Sequence, residues 1–70
     1  MEAERWGRRI RAFRKLTGFT QEEFAKEIGV SVSMLGEVER GNRVPTTTFL
    51  RDVAEQLGIT MEELKPPINR

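Results

Sequence analysis

The 70-residue chain contains no cysteine, no histidine and no tyrosine, and its aromatic side chains are four Phe and one Trp. Without cysteine, neither a disulfide nor a thiolate zinc site can brace the fold. Without histidine, the commonest metal ligand and the commonest general base are both missing. An enzyme would have to work from carboxylates, lysine or serine, and nothing in the sequence clusters them for such work, so neither a metal, a cofactor nor a catalytic residue is expected. No apolar run approaches the roughly 20 residues that span a bilayer, so no membrane association is expected. The N-terminal segment MEAERWGRRIR is charged where a secretory signal would be apolar. Together with the lack of cysteine, this points to the cytoplasm. A surplus of one charge is lacking too: 12 basic residues face 11 acidic ones, for a net charge of +1.

What is present is unevenly distributed. Residues 1–19 carry six basic side chains (Arg5, Arg8, Arg9, Arg11, Arg14, Lys15) against Glu2 and Glu4, a surplus of +4, whereas residues 20–70 hold six basic and nine acidic side chains, or −3. Such asymmetry suggests a basic face able to meet phosphate, although a solvated helix face has the same composition. The length suits one small domain over residues 1–70, burying only about 60% of its unfolded-state surface, so its stability should be modest.

Start and stop signals divide the chain into five short helices, with no β pattern, repeat or low-complexity block. The first is expected from about Ala3 to Leu16, where Trp6, Ile10 and Phe13 recur at i, i+4 and i+7 as one apolar stripe. Gly18 follows as a C′ residue. Thr20 with Glu23 forms a capping box for the second helix, and Phe19 with Phe24 a hydrophobic staple around it. That helix should end near Ile28, with Gly29 supplying a left-handed turn. Ser31 caps the third, which should end near Arg40 just before Gly41. After a loop over Asn42 to Pro45, Thr46 or Thr47 starts the fourth helix, whose apolar face comprises Phe49, Leu50, Val53, Ala54 and Leu57, and Gly58 stops it. Thr60 with Glu63 caps a fifth helix of about one and a half turns. The tail 66–70, PPINR, is expected to be extended or frayed.

Residues 20–41, TQEEFAKEIGVSVSMLGEVERG, carry the strongest signal. They read as two amphipathic helices joined by a glycine turn, the arrangement that places a helix in the major groove of DNA. At 100° per residue, Val32, Ser33, Gly36, Glu37 and Arg40 share an arc of about 140° on the third helix, while Leu35 and Val38 turn inward. The expected buried set is Phe24, Ala25, Ile28, Val30, Leu35 and Val38.

The segments WGRRIRAFRKLTGFTQEEFA, IGVS, LGEVERGNRVP and FLRDVAEQLGITMEEL resemble the Cro/C1-type helix-turn-helix domains of phage repressors and the wider xenobiotic-response-element family. The resemblance spans roughly Trp6 to Leu64. It implies an all-α, compact, five-helix lambda-repressor-like domain of bacterial, archaeal or phage type, with the helix-turn-helix at helices 2 and 3. It implies that Gln21 opens the second helix against a DNA phosphate, where a backbone N–H at the helix start favours an anion. It also implies a structural ion pair between Arg14 and Glu39, consistent with their positions at the edges of two buried faces.

The base-reading positions would then be Val32, Ser33, Gly36 and Glu37. Val32 suits a thymine methyl and Ser33 a base edge or a phosphate. Gly36 costs about 1 kcal/mol in mid-helix relative to Ala, for which close approach of the backbone to DNA is a functional reason and a tolerated weak spot the plain one. Glu37 has three readings: accepting from cytosine N4, repelling phosphate, or bonding a neighbouring Arg. Arg40, Asn42 and Arg43 are placed for phosphate contacts, or are ordinary loop polarity.

The leading expectation is a sequence-specific transcriptional regulator, a repressor that binds double-stranded DNA as a homodimer on a pseudo-palindromic operator. Met61, Leu64 and Ile68 are the candidate dimer contacts, although Leu64 is also needed for the core, and RNA polymerase is a candidate protein partner. A protein-interaction or antitoxin-like adaptor module on the same fold stays open as the alternative, favoured by the low net charge, Gly36 and Glu37.

Overall fold

The computed structural model describes residues 2–67, which form five α-helices and, among those residues, no strand: α1 (Glu2–Thr17), α2 (Gln21–Ile28), α3 (Val32–Glu39), α4 (Thr47–Leu57) and α5 (Met61–Leu64). The helix starts follow from their caps. Thr20, Ser31, Thr46 and Thr60 are all extended N-caps whose side-chain oxygens accept from the backbone N–H three residues on. Thr20–Glu23 and Thr60–Glu63 are complete capping boxes, so two otherwise orphaned donors are satisfied at each start. The Phe19 and Phe24 rings of the staple lie 5.2 Å apart.

The turn inside the helix-turn-helix needs glycine. Gly29 has φ 74°, a conformation that a Cβ penalises, and it lets the Val30 N–H return to the Ala25 carbonyl at 3.0 Å. The fifth helix is shorter than expected, a single turn. Lys65 takes ψ 133° because the ring of the following Pro66 disfavours the α region for the residue before it.

The core comprises Ile10, Phe24, Ala25, Ile28, Leu35, Val38, Phe49, Leu50, Val53, Ala54 and Leu64. α1 packs most extensively on α3, α2 on α3 and α4, and α5 on α4 and α1. Two expectations are corrected. Val30 is only half-buried, and the inward face of α1 is Ala3, Gly7, Ile10 and Arg14 rather than the Trp6–Ile10–Phe13 stripe. Trp6 and Phe13 flank that face, partly buried. The reason is close approach: at the α1–α3 crossing a Cβ on Gly7 would lie 2.7 Å from the Glu39 carbonyl oxygen and nearer still to that of Val38. Only small residues fit a crossing this tight.

Leu64, a candidate dimer contact, is fully buried in this core and presents no surface. Met61 packs against the core as a partly buried side chain, and Ile68 lies outside the described residues. Arg9 holds the end of α5 by donating from Nε to the Leu64 carbonyl at 3.2 Å, and also bonds the Glu63 carbonyl. Arg5 bonds the Pro67 carbonyl. Arg9 therefore serves the orphan carbonyls left at a helix end, whereas Arg5 ties down the chain beyond it. Among the described residues no helix is long and apolar enough to cross a membrane.

Candidate nucleic-acid interface

Three helices meet at one buried polar cluster. Glu39, in the last turn of α3, accepts from Arg14 Nε at 2.7 Å and from Arg14 Nη2 at 3.1 Å, a two-pronged ion pair. The Glu39 side chain is only 2% exposed. Arg14 spends its remaining nitrogen, Nη1, on the Phe19 carbonyl at 2.8 Å. Gln21 Nε2 donates to Glu39 Oε1 at 3.0 Å. The cluster thus fixes α1, the α1–α2 loop, the start of α2 and the end of α3 in one mutual geometry. Among the described residues no buried side-chain nitrogen or oxygen lacks a partner. The links through Gln21 and Phe19 were not read from the sequence. Their one local signal is that an arginine fork and a carboxylate offer more hydrogen-bonding positions than the pair alone consumes.

Above the cluster lies an open groove of about 600 Å³, lined by Arg11, Arg14, Thr20, Gln21, Glu39 and Arg40. The sequence offers Arg8, Arg9 and Arg11 alike as residues that flank DNA or solvate the first helix; of the three, Arg11 lines this groove, three residues before Arg14 on the same side of α1. Inside the groove Arg14 is neutralised by Glu39, while Arg11 and Arg40 are exposed cations.

On the outer side of α3, Val32 and Ser33 are exposed. Glu37 is half-buried, and its Oε1 accepts from Arg43 Nε at 2.8 Å, so of its three readings the free protein displays the bond to a neighbouring Arg. Asn42 and Arg43 are exposed in the following loop, where the Asn42 N–H donates to the Glu37 carbonyl at 2.9 Å. Gly36 departs from the expected open arc. It is buried, because the side chains of Arg40 and Gln21 lie across it. A pair as open to solvent as Glu37–Arg43, whose side chains are 40% and 52% exposed, contributes at most about 1 kcal/mol. Glu37→Ala is therefore expected to leave the melting temperature within a few degrees of wild type, as thermal denaturation followed by circular dichroism would check.

A helix-turn-helix family model matches residues 10–64. Among curated proteins, the uncharacterized HTH-type transcriptional regulator YazB of Bacillus subtilis (strain 168) is 64% identical over 67 residues, covering 96% of this chain and 97% of YazB. Two solved structures are similar. The restriction-modification controller protein C.AhdI from Aeromonas hydrophila superposes with a TM-score of 0.84 at 34% identity, over 89% of this chain and 94% of that one. The clp gene regulator ClgR from Corynebacterium glutamicum superposes with a TM-score of 0.88 at 31% identity, over 91% and 68% respectively. The chain belongs to the Cro/C1-type helix-turn-helix family of DNA-binding transcriptional regulators, which are not enzymes.

Proposed function

We propose that the chain is a sequence-specific transcriptional repressor that lays α3 in the major groove and binds a pseudo-palindromic operator as a homodimer. The observation that carries this reading is the exposed face of α3. Val32 and Ser33 stand outward beside a groove whose exposed cations are Arg11 and Arg40, with Arg43 in the loop beyond α3. In this arrangement base edges meet Val32, Ser33 and Glu37, and phosphates meet Arg40, Asn42, Arg43 and the backbone N–H of Gln21. Gly36 contributes room rather than a contact.

One such helix reads about half a turn of DNA. Useful specificity then takes two copies on half-sites about 34 Å apart. Repression follows from occupying DNA that polymerase needs, and direct contact with RNA polymerase would instead make the protein an activator.

One observation favours the adaptor reading: an acidic side chain, Glu37, stands on the face that would meet DNA and is held there by Arg43. Gel-shift of genomic fragments at two salt concentrations separates the readings. DNA binding that falls steeply as salt rises supports the regulator. No shift at low salt, together with a stable protein partner, supports the adaptor. Selection of bound duplexes from a random pool gives the operator and tests Glu37 directly: a cytosine preference in the wild type that vanishes in Glu37→Ala assigns it a base contact.

A further inference from the structure

Gly36 is buried although the helical arc faces outward, and what buries it is specific. A Cβ at this position would lie 3.0 Å from Arg40 Nη1, 3.7 Å from Arg40 Cζ and 3.8 Å from Gln21 Nε2. A side chain at position 36 would press on the Arg40 guanidinium, which even a methyl would push aside by a few tenths of an ångström. Arg40 is four residues on, one helical turn, and as the C-cap it keeps right-handed helical angles (φ −85°, ψ −4°). Its side chain leans back toward the helix start, as helical side chains do.

Two arginines of this face are held by partners, Arg14 by Glu39 and Arg43 by Glu37. The Arg40 side chain makes no hydrogen bond or ion pair among the described residues; its backbone N–H donates to the Gly36 carbonyl. It is seated by shape rather than by charge, its donors left for a ligand in the groove it shares with Arg11.

We infer that Gly36 is a positioning residue for DNA binding, its missing side chain seating the Arg40 guanidinium over the middle of α3 to grip a backbone phosphate. This rests on the DNA-binding reading above. The seat shifts the positive charge about 5.4 Å, one turn, toward the half of α3 that carries Val32 and Ser33. It also compensates for Gln21, whose side-chain amide already donates to Glu39. The helix-propensity cost of a mid-helix glycine, otherwise unexplained, is thereby given a function.

The test is a thermodynamic cycle of wild type, Gly36→Ala, Arg40→Ala and the double variant. Affinity for a duplex carrying the selected operator is measured by fluorescence anisotropy across a salt series. Only the flexible end of Arg40 and the Gln21 amide meet the new methyl, and alanine is the better helix former. The melting temperature of Gly36→Ala is therefore expected at or above that of wild type, which keeps folding out of the comparison. Arg40→Ala should weaken binding roughly tenfold and reduce the slope of log K against log salt by about 1. Gly36→Ala should change both in the same direction by a smaller factor, and the double variant should be no worse than Arg40→Ala.

A Gly36→Ala protein with wild-type affinity and slope overturns the inference. So does a double variant weaker than Arg40→Ala by the full Gly36→Ala factor, since the methyl would then be meeting DNA directly. A wild-type protein that binds no duplex at low salt overturns the DNA-binding reading itself, and the inference with it.

Discussion

Replacing Glu39 by alanine is expected to destabilise the protein by about 3–5 kcal/mol, because it leaves a buried guanidinium without its counter-charge. For a domain of this size that is roughly 15–30 °C in melting temperature. Measured against a total stability of only about 4–10 kcal/mol, it brings the fold close to collapse. Arg14 is 6% exposed and directs two nitrogens at Glu39 and a third at the Phe19 carbonyl. Solvent cannot replace the lost carboxylate, and Gln21 loses its acceptor at the same time. Glu39→Gln should be nearly as costly, since it keeps the volume but removes the charge and turns an amide N–H toward Arg14. Arg14→Lys should also fail, because a single ammonium cannot reproduce a fork that spans Glu39 and Phe19.

The contrasting variant is Arg14→Met combined with Glu39→Met. Taking out both charges together removes the desolvation cost with the attraction, so the pair should recover much of the stability that either single change loses. Thermal and urea denaturation of the four proteins decide the matter. A Glu39→Ala protein that melts within a few degrees of wild type would show that the pair is not structural.

Gly7→Ala is expected to cost about 3 kcal/mol, at the upper end of what overpacking usually costs. The obstruction is backbone: the Glu39 carbonyl oxygen would lie 2.7 Å and its carbonyl carbon 3.0 Å from the new methyl, with the Val38 oxygen closer still. No rotamer relieves this, so α1 and α3 must separate along their crossing. Separation also pulls Arg14 away from Glu39, because one residue of that pair sits on each helix. The effect should therefore exceed that of steric strain alone, and should be non-additive with Glu39→Ala. The measurement is a denaturation series on the single and double variants. The expectation is opposite in sign to that for Gly36→Ala, although both glycines lie in helix interiors. At Gly7 the neighbour is fixed main chain, at Gly36 the end of a mobile side chain.

These two glycines show where sequence reading stops. Both carry the same local signature, a poor helix former inside a helical pattern, and neither has an outward sign of what lies above it. The apolar stripe of α1 was displaced for the same reason. Trp6 and Phe13 are the hydrophobic residues at helical spacing, yet α3 approaches over Ala3 and Gly7, because a small residue marks a crossing only when the partner helix is known. The Arg14–Glu39 pair was legible through family resemblance. Its extension through Gln21 and Phe19 was not, since those links join residues far apart in sequence or connect a side chain to a loop carbonyl.

By itself the sequence determined the five helices, their caps and the glycine turn between α2 and α3. Each depends on interactions within about five residues, so the local pattern is enough. It also excluded disulfide bracing, histidine chemistry and a membrane-length apolar run. The tertiary structure alone decided which face of α1 is buried, that Gln21 turns toward Glu39, and that Arg40 covers Gly36. Those outcomes depend on the distance between surfaces brought together by the fold, and the composition of a single helix does not encode that distance.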